Sequence, residues 1–130
     1  MLLYHSADLL WASKIRSVAD ALGVAARPVR TLEMLEARLA DSPVAALCVD
    51  LDAPDVALAL IERLRGEAAT QDQRAIRVLA YGPHVAVEAL QQARERGASR
   101  VMTRGAFDRT MAEVIRDLTK ATGPGTPAEG

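Results

Sequence analysis

Apolar positions along this chain fall into two alternating kinds of stretch. Some are short runs without polar interruption, which read as strands covered on both faces; others place an apolar residue every three or four positions, which reads as a helix packed on one face. Residues 1–5 form the opening apolar run and the first strand. Ser6 or Asp8 then opens a helix with Trp11, Ile15, Val18 and Leu22 on one face, closed by Gly23. Residues 24–29 form a weaker strand, and Pro28 suits it to a sheet edge because proline cannot donate to a ladder. Thr31 caps a second helix carrying Leu32, Leu35 and Leu39, which ends at Asp41-Ser42-Pro43.

The strongest run follows, from Pro43 through Val49 to Asp50, and it reads as the central strand. A helix from about Pro54 turns Ala57, Leu60, Ile61 and Leu64 inward, and residues 66–74 are polar and irregular, read as a loop. Residues 75–81 form a fourth strand, stopped by Gly82-Pro83. Pro83 suits the first turn of the next helix, where its missing N–H has no partner in any case. That helix is expected to bury Ala86, Ala89, Leu90 and Ala93 and to end at Gly97. Residues 99–103 give a brief fifth strand, and Phe107, Met111, Val114, Ile115 and Leu118 line a last helix. Five strand–helix alternations with right-handed crossovers predict an α/β fold: a doubly wound, flavodoxin-like, five-stranded parallel sheet in the order 2-1-3-4-5 with five helices. Residues 1–121 are expected to form the domain. Residues 122–130, Thr-Gly-Pro-Gly-Thr-Pro-Ala-Glu-Gly, have no apolar surface to bury and are expected to be disordered.

Composition narrows the function. With 16 basic against 17 acidic residues and a net charge of −1, the chain has no basic footprint for nucleic acid or a membrane surface. No apolar run approaches membrane-spanning length, and a cytoplasmic location is expected. The single cysteine, Cys48, lies inside the central apolar run and reads as a buried thiol. His5 and His84 would lie near the same sheet edge as Asp50, but two histidines without a ligand spacing make a weak metal motif. There is no P-loop, no glycine-rich dinucleotide turn and no nucleophile–base spacing, so no enzymatic activity is expected.

Asp50 stands at the carboxyl end of the central strand, on the edge where open parallel sheets place their working loops. Three signatures around it resemble the receiver domains of two-component response regulators. Asp50-Leu51-Asp52-Ala53-Pro54 is similar to the phosphoacceptor aspartate with a proline four residues on. Gly97-Ala98 followed by Ser-Arg-Val-Met-Thr-Arg104 is similar to the Gly-Ala start and basic end of the last strand. The interval from Leu2 to Gly23 matches the first strand and helix in length. The resemblance implies Asp50 at the phosphoacceptor position and Arg104 as the cation that pairs with phosphate or carboxylate. It also implies a Mg²⁺ site to which Asp8, Asp50 and Asp52 are the candidate contributors.

The chain departs from that family at several positions. Ser6 and Ala7 stand where receivers carry an acidic pair, leaving Asp8 the nearest carboxylate. No serine or threonine occurs from Ala80 to Gly82, where the family has a hydroxyl; Arg104 replaces a lysine, Gly105 a proline, and Val101 an aromatic residue. Phosphoryl transfer to a carboxylate needs a divalent cation, and Mg²⁺ prefers several hard oxygen ligands. The expected function is therefore an atypical receiver-like signalling module that works through protein–protein interaction without phosphorylation, with no required cofactor. The alternative is a working phosphoreceiver that accepts phosphate on Asp50 through a weakened Mg²⁺ site. Partner protein or homodimer contact is expected through the helices running from Val85 to Arg96 and from Phe107 to Leu118.

Overall fold

The structure, a computed structural model, describes residues 1–120, so the expected disordered tail and the exact end of the domain lie outside the described residues. Eleven elements follow in order: β1 (Leu2–His5), α1 (Leu9–Ala21), β2 (Ala26–Pro28), α2 (Leu32–Asp41), β3 (Ala46–Asp50), α3 (Pro54–Arg65), α4 (Gln71–Arg74), β4 (Arg77–Gly82), α5 (Val87–Glu95), β5 (Arg100–Thr103) and α6 (Arg104–Thr119). The strands form one parallel sheet in the order β2-β1-β3-β4-β5, the flavodoxin-like topology expected from the alternation.

Every residue of β3 is buried because the strand is covered on both faces. Leu47 and Val49 pack towards α2, α3 and α5 with Leu35, Leu60, Ile61, Leu64 and Ala93. Ala46 and Cys48 pack towards α1 and α6 with Ile15, Ala19, Phe107, Met111 and Ile115. This period-two split between two apolar layers is what a fully buried parallel strand requires. Burial pushes the Cys48 thiol up to about 12, so it behaves as a small apolar side chain.

Local signals set most helix starts. Asp8, Thr31 and Thr103 each accept a backbone N–H at the head of α1, α2 and α6, and Pro54 occupies the first turn of α3. Three expectations need correction. The polar stretch 66–74 contains α4, held by a reciprocal cap between Thr70 and Gln73. The fifth helix begins at Val87, because residues 83–86 close a turn in which Ala86 N–H donates to Pro83 O at 2.9 Å. Leu32, expected on the inner face of α2, is 42% exposed.

One arginine ties the far end of the sheet together. Arg65, at the end of α3, donates to the carbonyls of Gly97 (2.9 Å), Ile76 (2.8 Å) and Arg74 (3.2 Å) and to Ser99 Oγ (3.2 Å). Gly97 holds φ at +107°, and a Cβ there would sit 2.9 Å from Arg65 Cγ, so backbone conformation and space both demand glycine.

Candidate functional site

Register alone carries four strand ends to one place. His5 pairs with Val49, Asp50 with Tyr81 and Gly82 with Thr103, so the carboxyl ends of β1, β3, β4 and β5 lie side by side. Asp50 has no exposed surface, yet it is a carboxylate. Burial of an unpaired carboxylate is costly, so its hydrogen bonds must be found nearby. One oxygen, Oδ2, accepts from the Ala7 backbone N–H at 3.2 Å and from Ser6 Oγ at 3.3 Å. The other, Oδ1, accepts from the Asp52 backbone N–H at 2.9 Å, and an Arg104 guanidinium nitrogen lies 3.5 Å from it. Every group on this carboxylate is a donor or a positive charge.

Arg104 is the first residue of α6, placed against the site because Thr103 ends β5 and caps the helix that follows. Its guanidinium hydrogen-bonds Asp52 as well as facing Asp50, and it lies 5.6 Å from the Trp11 ring centre. Such stacking on an indole suits the weakly hydrated guanidinium. The Asp52 hydrogen bond raises the Arg104 pKa further; burial opposes this, and the charges of Asp52 and Asp50 add to it.

Three aromatic rings floor the site. Trp11 stacks on Tyr81 at 5.2 Å and on Phe107 at 6.0 Å, and Tyr81 meets Phe107 at 5.0 Å. These separations fall in the range of favourable aromatic pairs. Tyr81 is fully buried and its hydroxyl has no protein partner; burial is the main reason its pKa lies well above the ordinary value. His5 is also buried, with an unpartnered Nδ1; burial lowers its pKa and the Asp50 charge pulls the other way.

The residues singled out in the sequence separate here. Asp50, Asp52 and Arg104 come together, with the Arg104 pair shared between both carboxylates instead of going to Asp50 alone. Asp8 points elsewhere: its carboxylate caps α1 by accepting from Leu10 N–H at 2.8 Å. His5 and Asp50 are close enough to feel each other's charge, whereas His84 is exposed in the turn after β4. Among the described residues no three His, Cys, Asp or Glu side chains converge on a point that could hold a metal ion. Val101 sits within β5, half-buried against the core.

Two participants were not evident from the sequence. Tyr81 lies in the segment from Ala80 to Gly82 that holds no serine or threonine, and Trp11 lies on the apolar face of α1, yet it borders the site and is half-buried. The signal for Tyr81 was its place at the apolar end of β4, where the pairing sets it beside Asp50.

No family model and no curated protein sequence matches the chain. Solved structures do. A response regulator from Thermotoga maritima is 12% identical over 92% of this chain and 97% of that one, with a TM-score of 0.73. The signal receiver domain of a response regulator from Bermanella marisrubri is 21% identical, covering 90% and 95%, with a TM-score of 0.74. The receiver domain of NtrX from Brucella abortus is 16% identical, covering 93% and 100%, with a TM-score of 0.73. At these identities the likeness establishes the fold: the chain has the receiver-domain architecture over nearly its whole length.

Proposed function

We propose that this chain is a receiver-like signalling module in which Asp50 is a fixed structural carboxylate, and that it acts by binding another protein without being phosphorylated. One observation carries the reading. Both oxygens of Asp50 are taken by Ala7 N–H, Ser6 Oγ, Asp52 N–H and the Arg104 guanidinium. A divalent cation needs a cluster of oxygen donors, and a cation beside Asp50 would meet N–H groups and a second positive charge. Asp8 is committed to capping α1, so it contributes nothing to such a cluster. The donor set does not fit Mg²⁺, and phosphoryl transfer to Asp50 has no cation to neutralise the crowded oxygens.

Arg104 supports the same reading from the other side. A guanidinium shared between Asp50 and Asp52 and stacked on Trp11 holds the β3–α3 and β5–α6 junctions together without an added ligand. A charge network anchored on a fully buried carboxylate in this way favours one arrangement.

Partner contact is proposed for α5, its preceding turn and the outer face of α6. In α5 only Ala93 is fully buried, while Val85 and Val87 at its start are 72% and 69% exposed. α6 commits Phe107, Met111, Val114, Ile115 and Leu118 to the core, so its outward Arg109, Glu113 and Arg116 are what it offers. Among the described residues no helix is long and apolar enough to cross a membrane. The test is incubation with acetyl phosphate and Mg²⁺ followed by intact-mass measurement. An unchanged mass is expected; a stable gain of one phosphoryl group that vanishes in Asp50→Ala establishes the working phosphoreceiver instead.

A further inference from the structure

We infer that the groove between α1 and the end of β2, a place separate from the Asp50 pocket, is a binding site for a small molecule bearing a phosphate monoester. The groove has a volume of ≈ 430 Å³, within the range of pockets that hold small ligands. It is lined by Arg16, Arg30, Ser13 and Ser17, with no carboxylate in its wall; Ser6 also borders it, but its hydroxyl is already given to Asp50. Half of the fourteen arginines are already engaged: Arg63, Arg96 and Arg104 pair with carboxylates, while Arg38, Arg65, Arg74 and Arg77 bond carbonyl oxygens. Arg16 and Arg30 are two of those with neither kind of partner among the described residues, and this groove brings the two together without a carboxylate, whereas Arg100, Arg109 and Arg116 share theirs with Glu113 and Asp117.

Helix geometry explains why these groups share one wall. Leu9, Ser13, Arg16 and Ser17 recur at spacings of four, three and one along α1, which places them on a single face. Arg30 faces them from the segment after β2, and Ser6 from the segment after β1. The groove thus opens at the carboxyl ends of two parallel strands, the side on which open α/β sheets bind ligands. Two guanidinium forks and the two hydroxyls of Ser13 and Ser17 supply more donors than one carboxylate can accept, whereas a phosphate dianion presents three terminal oxygens to them. Leu9, 78% exposed at the rim, offers apolar surface to the body that carries the phosphate.

The test uses ¹H–¹⁵N spectra of the intact chain titrated with adenosine monophosphate and with inorganic phosphate, against sodium chloride of matched ionic strength. Saturable shifts centred on the amides of Ser13, Ser17 and Arg30, with a Kd of about 1 mM or tighter, are expected. Arg16→Ala and Arg30→Ala should each weaken binding about tenfold. Both side chains are exposed, so fold is checked by an unchanged urea midpoint, and Ser17→Val gives a second variant that should also weaken binding. Shifts no larger than those from chloride, or affinities indifferent to all three substitutions, overturn the assignment. Neither outcome bears on whether Asp50 takes phosphate.

Discussion

The coupling between Asp50 and Arg104 is the interaction on which the site's rigidity rests, and a double-mutant cycle measures it. Asp50→Asn keeps the side chain's shape and one acceptor oxygen while removing the charge. Arg104→Met keeps an unbranched stem and removes the guanidinium. At 3.5 Å and an effective dielectric constant of about 20, the pair attraction has an upper bound of about 4–5 kcal/mol. Arg104 is 30% exposed and shares its charge with Asp52, so solvent screening and that sharing reduce the expected coupling to about 1–2 kcal/mol. The loss of stacking on Trp11 occurs in both arms that carry Arg104→Met and cancels from the cycle. Repeating the cycle with Asp52→Asn is the sharper comparison. Asp52 makes the closer contact but is 40% exposed, whereas Asp50 is fully buried. Exposed pairs contribute below about 1 kcal/mol, so the longer contact should be the stronger one energetically. Urea unfolding of the two cycles supplies the numbers. A coupling to Asp50 below about 0.5 kcal/mol, or one smaller than that to Asp52, refutes the view that the buried carboxylate depends on Arg104.

Two further outcomes follow from the same structure. His5 has its pKa lowered from 6.5 by burial, so the unfolded chain binds this proton more readily than the folded one. Its stabilising contribution is complete above 6.5 and is lost as pH falls through that value towards the lower folded pKa; the drop in urea midpoint between pH 7.5 and 5.5 should shrink in His5→Gln, and an equal drop in both proteins contradicts the assignment. Arg65→Ala removes four hydrogen bonds that join α3 to the β4 and β5 approaches and should cost about 2–4 kcal/mol in urea unfolding, whereas a change below about 0.5 kcal/mol would show that those carbonyls are satisfied by water at no cost.

Much of this architecture is legible in the chain because period-two and period-3.6 patterns are strong where both faces of an element have work to do. The β3 run and the α6 stripe Phe107, Met111, Val114, Ile115 and Leu118 are buried as their spacing requires. The misses have local causes. α4 is four residues long, too short to express a period, though its Thr70-x-x-Gln73 cap is visible in the sequence. Pro83 fits a helix start and a turn equally well, and the exposed Val85 and Val87 are the trace of the turn that formed. Arg104 beside Asp50 is what the receiver resemblance implies; strand order alone puts β4 between their two strands. The aromatic floor could not, because Trp11, Tyr81 and Phe107 come from three separate elements and each alone reads as ordinary core. The Asp52–Arg104 pair escaped for a related reason: a turn residue's side-chain direction depends on the loop that Asp50 organises through the Asp52 N–H.

Trp11 offers the most direct measurement. It is the chain's one tryptophan, 5.2 Å from the Tyr81 ring and 5.6 Å from the Arg104 guanidinium, so its fluorescence reports any rearrangement around Asp50. Addition of Mg²⁺ and then beryllofluoride to the whole chain should leave the emission unchanged beyond an ionic-strength control. A saturable change in emission on adding both, abolished by Asp50→Asn, would contradict the proposal that this carboxylate is permanently held by its own protein.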